Sequence, residues 1–312
     1  MTLVEHPYTV HWQAGDVKII ACESCGFLHV DPIPDAAQLR EFYEKRYYQQ
    51  VKPFDYRRVT DEFVQKQAQL AEQNAYFGSI YAKLAAHLDG PADGPGALLD
   101  IGSGNNLLAV HFLKRGWRCT AIEPNVEAAD YLRKYGLEVV EQFVDDLSFL
   151  ESETFDVVNL QFVLEHMANP ANMLKEVWRV LKPGGLVRVS VPNDFTEGQL
   201  AYREYYRHEG LPWVQLPDHI NYFNFESLSS LLSRCGFREV HRTTGFPLEF
   251  LLLGGVDYYR GKEDHGKVNP FVTQFQQAFI KTGRRDVLER LYEALAHLGM
   301  GRAVFMIAKK AD

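Results

Sequence analysis

After residue 96 the chain alternates short apolar runs with stretches whose apolar residues recur at helical spacing. Runs at 97–101, 118–122, 137–141, 155–160 and 186–191 read as buried strands, while 105–115 and 126–135 read as helices stopped by Gly116 and Gly136. A third helix has Asn169 as its N-cap and Pro170 at its first position, then carries Leu174, Val177, Trp178 and Leu181 on one face. Pro183-Gly184-Gly185 turns the chain into the 186–191 strand. A later helix, capped by Asn224, presents Leu228, Leu231, Leu232 and Cys235 at i, i+3, i+4 and i+7 before Gly236 ends it. Two further strands are expected at 240–243 and 303–308, with a mostly helical excursion between them. This alternation predicts an α/β fold with a parallel sheet and crossover helices.

Upstream the pattern is different. A strand-like region at 17–30 surrounds Cys22 and Cys25, and two polar, aromatic-studded helical stretches follow at 36–49 and 60–88. The turn-rich segment 89–96 then reads as a linker, which sets the expected domains at 1–94 (an N-terminal hairpin and helical appendage) and 95–312. Composition adds exclusions. With 33 Lys+Arg against 41 Asp+Glu the net charge is −8, and no basic run is long enough for a phosphate-backbone binder, so nucleic acid is not an expected partner. The longest apolar stretch, around Phe250 to Leu253, is broken by Gly254 and Gly255 and falls short of the ~20 residues of a bilayer span. Membrane is therefore not expected either. Glu5 and His6 stand where a secretion signal would be basic and then apolar, and the four cysteines suit a reducing cytoplasm, the expected location.

The first element with chemistry is Leu98-Leu99-Asp100-Ile101-Gly102-Ser103-Gly104, a strand that runs into a glycine turn and then a helix. Backbone amides at such a turn face a ligand, and glycines at 102 and 104 permit positive φ and close approach. Glu123 ends the next strand, where a carboxylate can accept both hydroxyls of a ribose. A dinucleotide site would use the same acid. It would also need a small residue at position 107, where this chain has Leu107. Asp100 repels a diphosphate and suits a ligand with a positive amino group, such as S-adenosylmethionine.

Taken together, Asp100-Ile101-Gly102-Ser103-Gly104, Glu123-Pro124, Phe155-Asp156-Val157-Val158, Val163-Leu164-Glu165-His166-Met167 and Leu181-Lys182-Pro183-Gly184-Gly185 resemble a class I S-adenosylmethionine-dependent methyltransferase. The resemblance spans roughly 96–245. It implies a doubly wound, mostly parallel seven-stranded sheet whose last strand, at 303–308, is antiparallel, with helical acceptor-cap insertions at about 195–235 and 246–300. It also implies S-adenosylmethionine as cofactor. Gly102 and Gly104, with Asp100 and Ser103, would lie by the methionine and ribose; Glu123 and Pro124 would hold the ribose; Gln161 and Phe162 would face the methionine amino group and the methyl. Where many relatives place an acid near the adenine, this chain has Phe143, which could cover the ring, with the backbone at Val144 as an alternative contact.

Methyl transfer needs an acceptor held close to the methyl and, for a hydroxyl, a base. His166, after the fourth strand, is the first candidate; His219, beside Asp218 in the cap, is the second. Both also suit structural roles. Tyr222, Asn193 and Asp194 are candidate lining residues, and Tyr47, Tyr48, Phe54 and Tyr56 a candidate lid. Cys22-Glu23-Ser24-Cys25-Gly26 is half of a zinc site. Cys119 and Cys235 are poorly placed to complete it, and His6 or His11 would have to substitute, so the expectation is a metal-free hairpin. The Leu-Glu-His-Met element resembles ubiquinone-pathway O-methyltransferases. The expected activity is O-methylation of a small-molecule acceptor: a sugar, a quinone precursor or a natural-product intermediate. N- or C-methylation, or cofactor binding without chemistry, are the alternatives.

Overall fold

A computed structural model describes residues 7–47, 54–56, 59–89, 95–259 and 262–311. His6, Tyr48 and most of the 89–96 linker lie outside these residues. A seven-stranded sheet carries the sequence motifs: β4 (Ala97–Ile101), β5 (Arg118–Ile122), β6 (Glu138–Val140), β7 (Phe155–Gln161), β8 (Leu181–Pro192), β10 (Phe237–Thr243) and β11 (Ala303–Lys310), in the order β10-β11-β8-β7-β4-β5-β6. β4 pairs in parallel with both β5 and β7, and β5 with β6, so the sheet is wound outward from β4 in two directions. The ends of the central strands therefore meet at a switch point, where open α/β sheets bind ligands. The last strand is antiparallel and inserted, as expected.

Two compact units divide the chain. One comprises 33–189, 232–240 and 307–312. Here α1 (Ala36–Glu41) runs on as a wider π-type turn at Phe42–Arg46, followed by α2 (Asp61–Glu72) and α3 (Ala75–Ala85). The two longer helices share one core with the sheet: Val64, Ala71, Ile80 and Leu84 pack with Leu98, Val110, Phe112, Leu132 and Val157. This packing ties α2 and α3 to the sheet. His111, on α4 (Leu108–Leu113), adds a polar tie: its Nδ1 donates to the Ala71 carbonyl at 2.7 Å, and burial holds its pKa below the usual imidazole value. α5 (Val126–Arg133) is capped by Asn125, and α6 (Pro170–Val180) by Asn169 with Pro170 at its start, as the sequence pattern requires.

The other unit comprises 1–32, 190–231 and 241–306. Its four-stranded antiparallel sheet joins β1 (Tyr8–Ala14), β2 (Val17–Cys22) and β3 (Phe27–Asp31) to β9 (Asn221–Tyr222). Pairing of β3 with β9 groups the N-terminal hairpin with the 195–235 insertion, a contact no local pattern encodes. α7 (Glu197–Tyr205) and α8 (Phe225–Arg234) flank β9 in sequence; α9 (Glu249–Leu253), α10 (Lys262–Lys281) and α11 (Arg285–His297) form the later excursion, held by a cluster around Phe246, Leu288, Tyr292 and Leu295. Among the described residues no helix is long and apolar enough to cross a membrane.

Candidate active site

The glycine turn after β4 takes the conformation its residues allow. Gly102 and Gly104 have φ of 66° and 57°, the left-handed region that glycine occupies without a Cβ penalty. The Gly102 amide donates to the Ile122 carbonyl at 2.8 Å, which holds the turn against the end of β5. Glu123 completes it: one carboxylate oxygen accepts from the Gly104 amide at 2.8 Å and the other from the Asn125 amide at 3.0 Å. The carboxylate is thus fixed with loop donors on one side and a cavity on the other.

That cavity, about 350 Å³, is lined by Gly102, Glu123, Pro124, Phe143, Val144 and His166, among others. Its outer wall comes from α1 and the π-type turn: Leu39, Tyr43 and Tyr47. Tyr43 stacks on Phe143 with rings 6.4 Å apart and 20° between planes, and meets His166 edge-on at 5.5 Å. Tyr47 meets His166 edge-on at 6.2 Å. Of the described aromatic residues expected as a lid, Tyr47 does this; Phe54 and Tyr56 instead pack on Tyr131 at 5.5 and 5.7 Å, partly buried against the sheet's core. Tyr43 takes their place, on a face the helical pattern did not single out.

A second cavity, about 550 Å³, adjoins through Gly102, Phe162 and Tyr47 and brings together Asp100, Ser103, Gly104 and Gln161 with Gln67 and Asn74 from α2 and its end. Phe162 holds φ of 56°. Such a conformation costs a side-chain-bearing residue roughly 1–2 kcal/mol and persists where a site over-determines it. Beneath the cavity runs a buried polar chain: Arg188 donates to Asn159 Oδ1 at 2.6 Å and to Gln161 Oε1 at 3.0 Å, and Asn159 Nδ2 donates to Asp100 Oδ1 at 2.6 Å. Asn159 and Arg188 are polar residues inside apolar strands, a signal in the sequence that had pointed to no role.

Asp100 is 2% exposed, and among the described residues its Oδ2 has no hydrogen-bond partner. Burial pushes its carboxyl up to about 6, against the opposing pull of Asn159, Ser103 and Arg188. A buried carboxylate with an open oxygen at a ligand cavity calls for a cation, and the ammonium of an S-adenosylmethionine tail is one; a dinucleotide's diphosphate would be repelled. The donor set thus fits S-adenosylmethionine. A raised carboxyl pKa gives stability that is full below the unfolded value of 3.8 and lost as pH rises through about 6, a change of about 3 kcal/mol. Asp100→Asn is therefore expected to make the ligand-free protein more stable than wild type at pH ~7 while weakening S-adenosylhomocysteine binding about tenfold or more. Urea unfolding at pH ~4 and ~7, with a binding titration, checks both; equal pH dependence in the two proteins would contradict it.

The second histidine lies in the other unit. His219 is 8% exposed, its Nε2 is 3.8 Å from Asp218, and its carbonyl accepts from the Tyr222 hydroxyl at 3.0 Å. In that unit Asn193 is a structural tie: its side chain donates to the carbonyls of Gly299 and Gly301 at 3.0 and 2.9 Å. Asp194 lines a cavity of about 290 Å³ with Tyr222, and burial pushes its carboxyl up to about 7.

A doubly wound sheet with an acid-anchored glycine turn at its switch point, beside a cavity that a buried carboxylate lines, defines a fold of the Rossmann-like class. A family model for a methyltransferase domain matches residues 60–242, more than half of the chain. The protein belongs to the class I S-adenosylmethionine-dependent methyltransferases, and S-adenosylmethionine is its cofactor. Among curated proteins it is similar to the ubiquinone biosynthesis O-methyltransferases of Xanthomonas oryzae pv. oryzae, 33% identical over 31% of this chain and 43% of the relative, and of Actinobacillus pleuropneumoniae, 29% identical over 31% and 45%. The chain thus spans less than half the length of these curated relatives. Among solved structures, the 1,6-didemethyltoxoflavin-N1-methyltransferase of Burkholderia thailandensis aligns over 97% of this chain and 99% of its own, with 15% identity and a TM-score of 0.49. An S-adenosylmethionine-dependent methyltransferase of Mesorhizobium loti aligns over 73% and 96%, with 16% identity and a TM-score of 0.47.

Proposed function

We propose that the protein methylates a hydroxyl of a small molecule, such as a sugar, a quinone precursor or a natural-product intermediate, with His166 as the proton acceptor. The observation that carries this reading is the His166 ring, which lines the same cavity as Gly102, Glu123 and Phe143. Tyr43 and Tyr47 hold the ring edge-on from the outer wall, and the buried Glu165 carboxylate lies 3.9 Å from Nε2, where it stabilises the imidazolium formed when the acceptor's proton arrives. When bound, the cofactor supplies an electrophilic methyl with a good leaving group. The chain's own part is to seat the adenosyl group between Glu123 and Phe143, receive the methionine ammonium at Asp100, exclude water with the Tyr43–Tyr47 wall and take one proton at His166.

The likeness to ubiquinone O-methyltransferases over 102 residues supports a hydroxyl acceptor. His219 is the second candidate base. The test is turnover on a panel of phenols and sugars, read as the mass gain of one methylene. His166→Ala is expected to lower kcat by about 10²-fold or more and to remove the rise of rate with pH around neutrality, with S-adenosylhomocysteine affinity changed by less than about threefold. If His166→Ala and His219→Ala each kept wild-type turnover between about pH 6 and 9, histidine base catalysis would be replaced by proximity alone.

A further inference from the structure

The hairpin of β2 and β3 carries a cluster that the methyl-transfer site does not use. Cys22, Cys25 and His29 each present a ligand atom, and the three atoms lie within 4.8 Å of one another. Strand register explains the meeting. Ile20 pairs with His29 and Cys22 with Phe27, so with period-two alternation Cys22 and His29 share one face as diagonal neighbours. That face is buried: Cys22 is 3% exposed and His29 7%. The turn then folds Cys25 back over Cys22. Gly26, at φ 74°, donates its amide to the Cys22 carbonyl at 2.8 Å, and the Cys25 amide donates to Cys22 Sγ at 3.4 Å.

We propose that Cys22, Cys25 and His29 hold a zinc ion in the hairpin. Two details beyond proximity favour a metal. The Cys25 amide donated to Cys22 Sγ ties the two candidate sulfur ligands into one turn. His29 Nδ1 lies 2.8 Å from the Val30 carbonyl, which accepts only, so Nδ1 carries the proton and the imidazole lone pair is on Nε2. Metal-bound histidines are oriented by just such an outer contact. Two thiolates and an imidazole select zinc over magnesium or calcium, and three protein ligands leave the fourth tetrahedral position to water or a small ligand. With Zn–S of about 2.3 Å and Zn–N of about 2.0 Å, two sulfurs and a nitrogen in tetrahedral positions stand about 3.5–3.8 Å apart, so the cluster needs to close by only about 1 Å. Each thiol gives up its proton as the metal binds.

The third ligand is why this departs from the metal-free hairpin expected from the sequence. His11 is exposed on β1 and meets Phe195 edge-on at 6.2 Å; His29 comes instead from the strand beyond the turn, brought in by register. A clamp there would also act on β9. His29 pairs with Asn221, and the Val30 amide donates to the Ile220 carbonyl at 2.9 Å, so the metal would fix the strand that leads directly out of His219.

The test is metal analysis of full-length protein made with zinc in the medium and purified without chelator or affinity tag. One zinc per chain is expected, reduced at least about tenfold in both Cys25→Ser and His29→Gln and retained in His29→Cys, whose thiolate can replace the imidazole. Cobalt(II) added to the zinc-free wild type should give the visible bands and thiolate charge transfer of a tetrahedral site, a readout independent of whether any variant folds. Zinc-free wild type that also gives no tetrahedral cobalt spectrum overturns the proposal. So does zinc held equally by wild type, Cys25→Ser and His29→Gln.

Discussion

Replacing Glu123 by alanine is expected to weaken S-adenosylhomocysteine binding by at least about a hundredfold. This carboxylate fixes the Gly104 and Asn125 amides at 2.8 and 3.0 Å, and it faces the cavity that Gly102 and Phe143 line. A ribose bound there would add its hydroxyls to the same two oxygens. Hydrogen bonds to a charged partner are worth about 1.5–3 kcal/mol each, and losing two such bonds to the ligand alone corresponds to a factor of 10² or more. The variant also loses the acceptor that holds the glycine turn, so affinity falls through a disordered loop as well. Thermal unfolding beside the titration separates these effects: a folded Glu123→Ala protein with no binding is the expected result, and a folded variant with unchanged affinity would remove Glu123 from the site.

Gly102→Val is expected to abolish detectable cofactor binding while leaving a folded protein. Gly102 lines both cavities, so a side chain there enters the space in which a cofactor would lie. The backbone resists as well. At φ 66° a β-branched residue pays roughly 1–2 kcal/mol, and a Cβ would sit 2.8 Å from Val163 Cγ2. The two causes are separable, because Gly102→Ala combined with Val163→Ala removes the clash but still roofs the turn. Weak binding in that double variant, measured against Val163→Ala alone, places the loss at the ligand; full recovery would place it in the loop's packing.

The part of the site that lies within a few residues along the chain is legible in the sequence. The β4 run ending in Gly102-Ser103-Gly104, the acid closing β5 and the Asn169-Pro170 helix start are local patterns, and local sterics and hydrogen bonding enforce each of them. The outer wall was legible only in part. Tyr43 and Tyr47 reach His166 because a π-type turn at Phe42–Arg46 continues α1, and a widened turn shifts side chains off the positions that a 3.6-residue period predicts. The chain from Arg188 through Asn159 to Asp100 joins three strands, so it depends on sheet order, which spacing along one segment does not contain. Grouping of the hairpin with the 195–235 insertion involves, in the same way, a long-range pairing of β3 with β9. Function-bearing contacts are thus readable where the covalent chain itself sets the geometry, and hidden where register between distant strands sets it.

The most direct test of the account is calorimetric titration of the wild-type protein with S-adenosylhomocysteine, with NAD as the control ligand. Asp100 with its open oxygen, the glycine turn and Glu123 predict micromolar binding of S-adenosylhomocysteine and none of NAD. Binding of NAD in preference, or no heat with either ligand from a folded protein, would contradict the assignment of these residues to an adenosyl group with a cationic tail.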